Sequence, residues 1–417
     1  MQAADEASRR AGEPGALGLL LLIAFLVQLF SNAALIFPAL SAVRPAQTIG
    51  GLALLVVIGQ TLVAGRKFEF SAPDGYLLMG FVIASGIGVA GAVWPTYALD
   101  ACLDLIKMVI IYVLILNTVS SERRLRAVLW TMVLCGLFPA LGSLRNWQQG
   151  IRVEGRAAWL GLFANPNEMA YSLVILIPVA FALARRSSAG ARMVLGLLSA
   201  LFMVAIYLSF SRGSLIGLAA VGIYMGWRQK NGIARAATLA IVLAGALAGS
   251  MYWSRNAGFN DIQGDANFNE RLTTYRVAWS MYSQSPLLGV GLNCSSVAWP
   301  LYASSEGLNH HKWLITHNTF IQALSETGTL GGGLLLAFFA AALCRAWKAS
   351  RSAAVQEPVR ELAEGLEISF WGFLVCGMSG GYVMSWFPYL LAGLIGTFGS
   401  LTGGSPAGRS LTGGRSS

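Results

Sequence analysis

The sequence has few charged residues, few histidines and no metal-ligand spacing. Only 12% of its 417 residues are charged, about half the usual fraction for a soluble globular domain, so that class is excluded. The five cysteines form no CxxC pair, which argues against a disulfide framework and a structural zinc site. With three histidines and no carboxylate cluster, no metal and no other cofactor are expected. No RGG, RNP or zinc-finger pattern links the net charge of +10 to nucleic acid.

Long apolar segments dominate instead, and 55% of the residues are hydrophobic. A membrane span needs about 17 to 25 apolar residues. This pattern predicts an all-α polytopic membrane protein with about 12 transmembrane helices. The predicted spans are 16–37, 47–65, 75–93, 98–117, 127–144, 169–184, 192–210, 213–227, 235–253, 318–344, 366–386 and 388–401.

Basic residues fix the predicted orientation. With the N-terminus inside, 19 of the 29 Lys and Arg residues fall in inside segments, so both termini are expected in the cytoplasm. The predicted order is a cytoplasmic N-terminus at 1–15, helices 1–9 at 16–253, a long outward-facing loop at 254–317 and helices 10–12 at 318–401. Residues 402–417 are expected to form a disordered cytoplasmic tail. In a bacterium the long loop would lie in the periplasm.

That loop holds all three histidines and a balanced set of charges. Residues 269–285 combine apolar and basic side chains, as in an amphipathic helix lying on a membrane surface. Pro286 should end this helix, and the Gly-containing run 287–291 should form a tight turn. The chemistry of the protein is therefore expected at this loop.

Several arginines are predicted on the outward side. Arg212 lies in a short turn among small residues and could clamp a phosphate or anchor at lipid headgroups. Arg271 and Arg276 are five residues apart and should splay, so that one could face a diphosphate and the other lipid. Arg152 and Arg156 precede an Asn-Pro-Asn turn at 165–167, whose plain interpretation is a helix start.

His317 is the candidate general base, because imidazole takes up a proton near neutral pH. Asn318 can cap the following helix. Glu326 is an intramembrane charge, with either a functional or a buried hydrogen-bonding role. His311 lies beside His310 in a stretch that is expected to be a solvated loop. The candidate substrate-binding residues are Arg152, Arg156, Asn165, Asn167, Arg276, His311, Asn318 and Glu326.

The order and spacing of these motifs resemble the O-antigen ligase and O-antigen polymerase superfamily. The motifs are Ser-Arg-Gly at 211–213, Arg271 followed by Tyr275, Pro-Leu-Leu-Gly-Val-Gly at 286–291, and His317-Asn318 followed by Glu-Thr-Gly at 326–328. The resemblance covers about residues 150–395. It implies a glycosyltransferase of the GT-C type in the bacterial inner membrane with a periplasmic active site.

The resemblance also implies the partners and the roles. The donor would be a glycan on undecaprenyl diphosphate, and the acceptor a hydroxyl of the lipid A-core oligosaccharide, with no nucleotide sugar or metal. His317 would be the base, and Arg212 and Arg271 would bind the diphosphate, giving three catalytic residues. Inversion at the anomeric carbon is expected, as part of lipopolysaccharide biosynthesis. The alternatives are an O-antigen polymerase that joins lipid-linked repeats, or a transporter or flippase using Asp104 and Lys107 at mid-membrane.

Overall fold

The structure, a computed structural model, describes residues 15–71, 73–251, 266–308 and 313–402. Within these ranges the regular elements are α-helices and three short 3-10 helices, at Pro38–Val43, Val89–Gly91 and Gly161–Ala164. The α-helices are α1 (Ala16–Ser31), α2 (Ala33–Ile36), α3 (Pro45–Val63), α4 (Asp74–Gly88), α5 (Pro95–Thr118), α6 (Glu122–Cys135), α7 (Leu137–Gln148), α8 (Pro166–Ala184), α9 (Ala189–Leu208), α10 (Arg212–Trp227), α11 (Gly232–Met251), α12 (Ala266–Gln284), α13 (Ser295–Ser305), α14 (Thr319–Arg351), α15 (Glu357–Gly377), α16 (Phe387–Gly396) and α17 (Phe398–Thr402).

The helices agree with the all-α polytopic membrane architecture predicted from the sequence. By length and composition, 6 of the described helices could cross a membrane, and shorter apolar helices accompany them. Each predicted span overlaps one helix or consecutive helices. The count of twelve spans and the GT-C class stay predictions. The N-terminal stretch before residue 15 and nearly all of the predicted tail lie outside the described residues.

The prediction for span 366–386 is wrong at its C-terminal end, because α15, which begins at Glu357, ends at Gly377. Its first two turns are charged and lie ahead of the predicted span. They are helical because their carboxylates pair with the segment after α8. Glu364 binds Arg185 at 2.9 Å, and Glu361 binds Arg186 at 2.6 Å.

Residues 378–386 form a non-helical segment that folds back into the protein. The hydroxyl of Thr319, at the start of α14, donates to the Gly380 carbonyl at 2.7 Å and accepts from the Tyr382 amide at 3.0 Å. The Tyr389 hydroxyl donates to the Val383 carbonyl at 2.8 Å. These bonds satisfy buried backbone groups that a helix would otherwise satisfy internally. The segment can therefore leave the helical path and approach the N-terminal end of α14.

Helix α8 is the central helix of the bundle. In its most apolar window 83% of the residues are buried, and it packs against α9, α10, α6 and α15. The side chain of Asn165 caps it by accepting from the Asn167 amide at 2.9 Å, with Pro166 in the first turn. The start of α8 is thereby held at one end of the bundle, where the residues of the candidate site meet.

Helix α14 is kinked at Gly328, whose φ of 64° is not helical. The kink leaves carbonyls without helical partners, and the 286–291 segment supplies donors for two of them. The Val290 amide donates to Ser325 O at 3.0 Å, and the Gly291 amide donates to Glu326 O at 2.9 Å. A Cβ on Gly328 would meet the backbone of Leu287 at 2.3 Å, so the close approach requires glycine. The Pro-Leu-Leu-Gly-Val-Gly segment at 286–291 and the Glu-Thr-Gly segment at 326–328 thus contact each other through their backbones.

The described part of the long loop packs as a small second core against the bundle. Helix α12 buries Val277 and Met281, and α13 buries Ala298 and Trp299. Helix α12 confirms the helix expected at 269–285 and ends at Gln284, just before Pro286. On its opposite face Trp279 is 60% exposed. This core fixes α12 beside the start of α14.

Candidate active site

A cavity of about 840 Å³ lies between α8, α10 and α12. The segment just before α14 and the segment just after α15 complete its wall. Arginines from three separate parts of the chain line it, together with one histidine. The lining residues are Val153, Glu154, Arg156, Ala164, Asn165, Pro166, Asn167, Phe210, Arg212, Gly213, Ile216, Glu270, Arg271, Leu272, Tyr275, His317, Val375, Met378 and Ser379. The structure therefore brings all three predicted catalytic residues into one cavity.

Arg156 is buried and held by hydrogen bonds. Its Nε donates to the Ser209 carbonyl at 2.7 Å, and its Nη2 donates to Asn167 Oδ1 at 2.5 Å. Asn165 in turn caps the helix that carries Asn167. The Asn-Pro-Asn turn thus begins α8, as its plain interpretation had it, and also orients a cationic side chain at the cavity wall.

Arg212 is the first residue of α10. The hydroxyl of Ser211 caps this helix by accepting from the Ser214 amide at 3.4 Å. Gly213 packs so closely on the other wall that a Cβ there would overlap the side chain of Ser379. The small residues around Arg212 therefore allow α10 to approach the segment after α15, which brings Arg212 to the cavity.

Helix α12 distinguishes Arg271 from Arg276. Arg271 and Tyr275 are one helical turn apart and both line the cavity. Arg276 is exposed and does not line it. It lies on the same stripe of the helix as Trp279, which is also exposed and does not line the cavity. Of the two loop arginines, Arg271 is thus the one in position to meet a ligand in the cavity.

His317 lies in the segment just before α14 and is partly buried. The hydroxyl of Tyr275 shares its single proton between the carbonyl of His317 and that of Met378, each at 3.1 Å. This shared bond ties α12 to the histidine and to the segment after α15. Tyr275 therefore fixes the backbone that carries the imidazole.

The electrostatic surroundings keep the imidazole neutral. Burial, with a smaller contribution from the positive charges of Arg271 and Arg156, lowers the pKa of His317 from 6.5 to about 4. At neutral pH the ring therefore carries a free lone pair. Among the described residues, no side chain forms a hydrogen bond with this ring. The imidazole is thus available to a ligand in the cavity.

Four predicted site residues lie outside the cavity lining. Arg152 is exposed and stacks on Trp147, with its guanidinium carbon 3.8 Å from the ring centroid. The Asn318 side chain caps α14 by accepting from the Phe320 and Ile321 amides at 2.9 and 3.1 Å. Arg276 faces outwards, as described above, and Glu326 is fully buried. A further predicted residue, His311, is outside the described residues.

The Glu326 carboxylate is used within the protein. It accepts from the Asn293 amide at 2.9 Å, the Ser295 hydroxyl at 2.6 Å and the Gln322 amide group at 3.2 Å. These donors include the residues that begin α13, where the helix dipole favours a negative charge. Glu326 therefore joins the loop to α14, which corresponds to the buried hydrogen-bonding alternative considered from the sequence.

Some lining residues were not singled out from the sequence. Glu154 and Glu270 place carboxylates at the cavity beside the arginines. Val375, Met378 and Ser379 come from the stretch that was expected to be a continuous span. For Glu270 a signal existed, because it directly precedes Arg271. For the 375–379 stretch none did, because its position depends on the end of α15.

Residues 196–336 match a family model described as O-antigen ligase. This match confirms the predicted resemblance. The segment includes Arg212, Arg271 and His317, as well as the backbone contact at Gly328. Arg156 and the Asn-Pro-Asn turn lie outside the O-antigen ligase match and join the site through the fold. No curated protein matches the chain significantly.

Proposed function

We propose that this protein is an O-antigen ligase that transfers a glycan from undecaprenyl diphosphate to a hydroxyl of the lipid A-core oligosaccharide. The observation that carries the proposal is the cavity that Arg156, Arg212 and Arg271 line together with His317, whose lowered pKa keeps its imidazole neutral. The family match over residues 196–336 supports a role in O-antigen transfer or polymerisation. The membrane character of the chain suits a lipid-linked donor.

The arginines would serve the donor. A guanidinium group is permanently charged and can form two parallel hydrogen bonds with a phosphate. Arg271 and Arg212 line the cavity from different helices and would bind the diphosphate from two sides. As the bond between the anomeric carbon and the diphosphate oxygen breaks, negative charge grows on the leaving group. Fixed positive charges stabilise that charge without reorganising.

His317 would serve the acceptor. Its neutral imidazole accepts the proton of the acceptor hydroxyl while the hydroxyl oxygen forms a bond to the anomeric carbon. The bond to undecaprenyl diphosphate breaks, and this diphosphate leaves as an anion. Attack from the face opposite the leaving group inverts the configuration at the anomeric carbon. Bound diphosphate offsets the nearby guanidinium charges, so donor binding raises the pKa of His317 and makes the imidazole a stronger base.

The transporter alternative loses its structural support. Asp104 and Lys107 pair with each other on α5, and their side chains are 54% and 51% exposed. Neither residue lines the cavity of about 840 Å³. A relay for ions or protons would face the interior of the bundle or a water-filled path. The pair instead lies on the outer surface of α5.

The test is glycan transfer in proteoliposomes that contain the purified full-length protein, an undecaprenyl-diphosphate-linked glycan and lipid A-core. We expect glycan on lipid A-core, and a loss of at least about 100-fold in His317→Ala, since general base catalysis contributes about 10²- to 10⁴-fold. Arg271→Ala should also lose activity, whereas the matched control Arg276→Ala should retain it. Longer lipid-linked chains with unchanged lipid A-core would make the protein the polymerase. No transfer to either acceptor by folded protein would refute the proposal.

A further inference from the structure

A second cavity lies at the opposite end of α8 from the candidate active site. Its volume is about 300 Å³, and α8 contributes residues from Pro178 to Ala184 to its wall. The candidate active site instead contains Asn165 and Asn167 at the start of this helix. A 19-residue helix is about 28 Å long. By the predicted orientation the second cavity lies at the cytoplasmic surface of the membrane.

The course of α9 and α10 explains the second cavity. The two helices are joined by the short turn at 209–211. They make few contacts with each other, although each packs well against α8. The second cavity is lined by Arg192 near the start of α9 and by Met225 near the end of α10, far from the turn. A slot therefore remains between the ends of α9 and α10 that lie away from the active site.

The outer part of the slot is basic. Arg185 donates to both carboxylate oxygens of Glu364, at 2.9 and 3.0 Å. Arg228 approaches the same carboxylate at 3.5 Å. Arg192 lines the cavity and forms no ion pair with any described residue. Among the lining residues, Arg185 and Arg192 against Glu364 leave a net charge of +1, and Arg228 adds a further positive charge beside Glu364.

The inner part of the slot is apolar. On α15, Ile368 lies one turn further into the bundle than Glu364. Met225 of α10 lies one turn further in than Gln229, which follows that helix, and Phe181 of α8 lies further in than Arg185, which follows α8. Three separate helices therefore show the same order, with a charged or polar group outside and an apolar group inside. This order suits an amphipathic ligand with an anionic head.

We propose that the slot binds one anionic phospholipid, with its phosphate between Arg185 and Arg192 and the start of an acyl chain against Phe181, Met225 and Ile368. Basic pockets between transmembrane helices near the cytoplasmic surface bind anionic headgroups. A charge-assisted hydrogen bond from guanidinium to phosphate is stronger than one between neutral groups. The volume of about 300 Å³ holds the headgroup and the first carbons of a chain, and the rest of the chain extends along the bundle surface.

The experiment is native mass spectrometry of the detergent-solubilised full chain, titrated with phosphatidylglycerol or with zwitterionic phosphatidylcholine. We expect one phosphatidylglycerol to bind in preference to phosphatidylcholine. Arg192→Gln should weaken that binding about fivefold, because a basic residue near an anionic lipid surface contributes about 1 kcal/mol. Arg192 is exposed and unpaired, so its replacement leaves the packing of the protein intact.

The matched control is Arg186→Gln, which removes the same charge from the link between α8 and α9, six residues before Arg192. Arg186 pairs with Glu357 and Glu361 and does not line the slot. This variant should bind phosphatidylglycerol like the wild type. An equal loss in both variants would show attraction to general surface charge and would overturn the proposal, as would equal binding of the two lipids.

Two further measurements test the apolar half of the slot. Met225→Trp fills the space expected for the acyl chain and should weaken phosphatidylglycerol binding. Inorganic phosphate at 100-fold excess should fail to displace the lipid, because it lacks the chain. Displacement by phosphate, or unchanged binding in Met225→Trp, would overturn the assignment to a lipid.

Discussion

The pH at which His317 becomes protonated should set the acid limit of glycan transfer. Its pKa in the free protein is about 4, lowered by burial and by the charges of Arg271 and Arg156. A lowered histidine pKa keeps the neutral, basic form present at lower pH. At pH 5.5 an unperturbed histidine would be about one-tenth neutral, whereas one with a pKa near 4 is about 97% neutral. Transfer at pH 5.5 should therefore stay close to its value at pH 7.5.

The assay is kcat/KM for glycan transfer at subsaturating donor from pH 3.5 to 8, on protein shown to stay folded over that range. Because kcat/KM reports the free enzyme, its acid limb should have a midpoint near 4. The acid limb of the kcat profile, which reports the complex of enzyme and donor, should lie at higher pH. The reason is that the bound diphosphate offsets the positive charge of the arginines. Arg271→Gln removes a positive charge beside the imidazole, so the residual activity of this variant should have its kcat/KM limb shifted towards 6.5.

The control for charge is Arg276→Gln, which removes an arginine from the exposed face of the same helix. Its acid limb should coincide with that of the wild type. A wild-type kcat/KM midpoint near 6.5, or a midpoint that Arg271→Gln leaves unmoved, would refute the reasoning. In that case His317 would either be solvated or would not be the titrating base.

Four further outcomes are expected from single substitutions. Arg271→Ala should lower kcat/KM by about 10- to 100-fold, since a hydrogen bond to a charged group contributes about 1.5 to 3 kcal/mol, while Arg276→Ala should stay within about twofold in the same assay. Tyr275→Phe removes the hydrogen bond shared between two backbone carbonyls and should reduce kcat about fivefold with little change in the donor KM. Glu326→Ala leaves several buried donors without an acceptor and should lower the thermal unfolding midpoint, measured by intrinsic fluorescence, by several degrees more than Glu326→Gln. Gly328→Ala adds a Cβ at positive φ against backbone and should reduce the yield of monodisperse protein in size-exclusion chromatography; a wild-type yield would contradict the close approach.

The lengths of the hydrophobic segments predicted where the helices lie, but they did not predict where every helix begins and ends. Hydrophobic segment length did not include the charged start of α15, because its ion pairs with Arg185 and Arg186 are formed across the bundle. The end of α15 at Gly377 depends on hydrogen bonds between Thr319 and residues of the following segment. Such tertiary contacts leave no periodicity in the sequence.

The two loop arginines show a similar limit. Arg271 and Tyr275 lie on one stripe of α12, and Arg276 lies on another with Trp279. Both stripes carry large apolar residues, so hydrophobic periodicity could not tell which one faces the bundle. The structure distinguishes them, because Tyr275 reaches the His317 carbonyl. The role of Glu326 was likewise open, since its hydrogen-bond donors come from a distant loop.

The cavity residues come from two parts of the protein, the helix bundle and the long loop. Glu326 joins these two parts and so has an indirect role in the proposed reaction. Arg156 is fixed within the bundle by Ser209 and Asn167, but Arg271 is carried by α12 in the long loop. The loop is joined to α14 through the Glu326 carboxylate and the backbone contact at Gly328. Loosening that junction would move Arg271 away from the other arginines while leaving each of them chemically intact. In the proposed reaction Glu326 would therefore act as a positioning residue that keeps Arg271 at the cavity, without contact with either substrate.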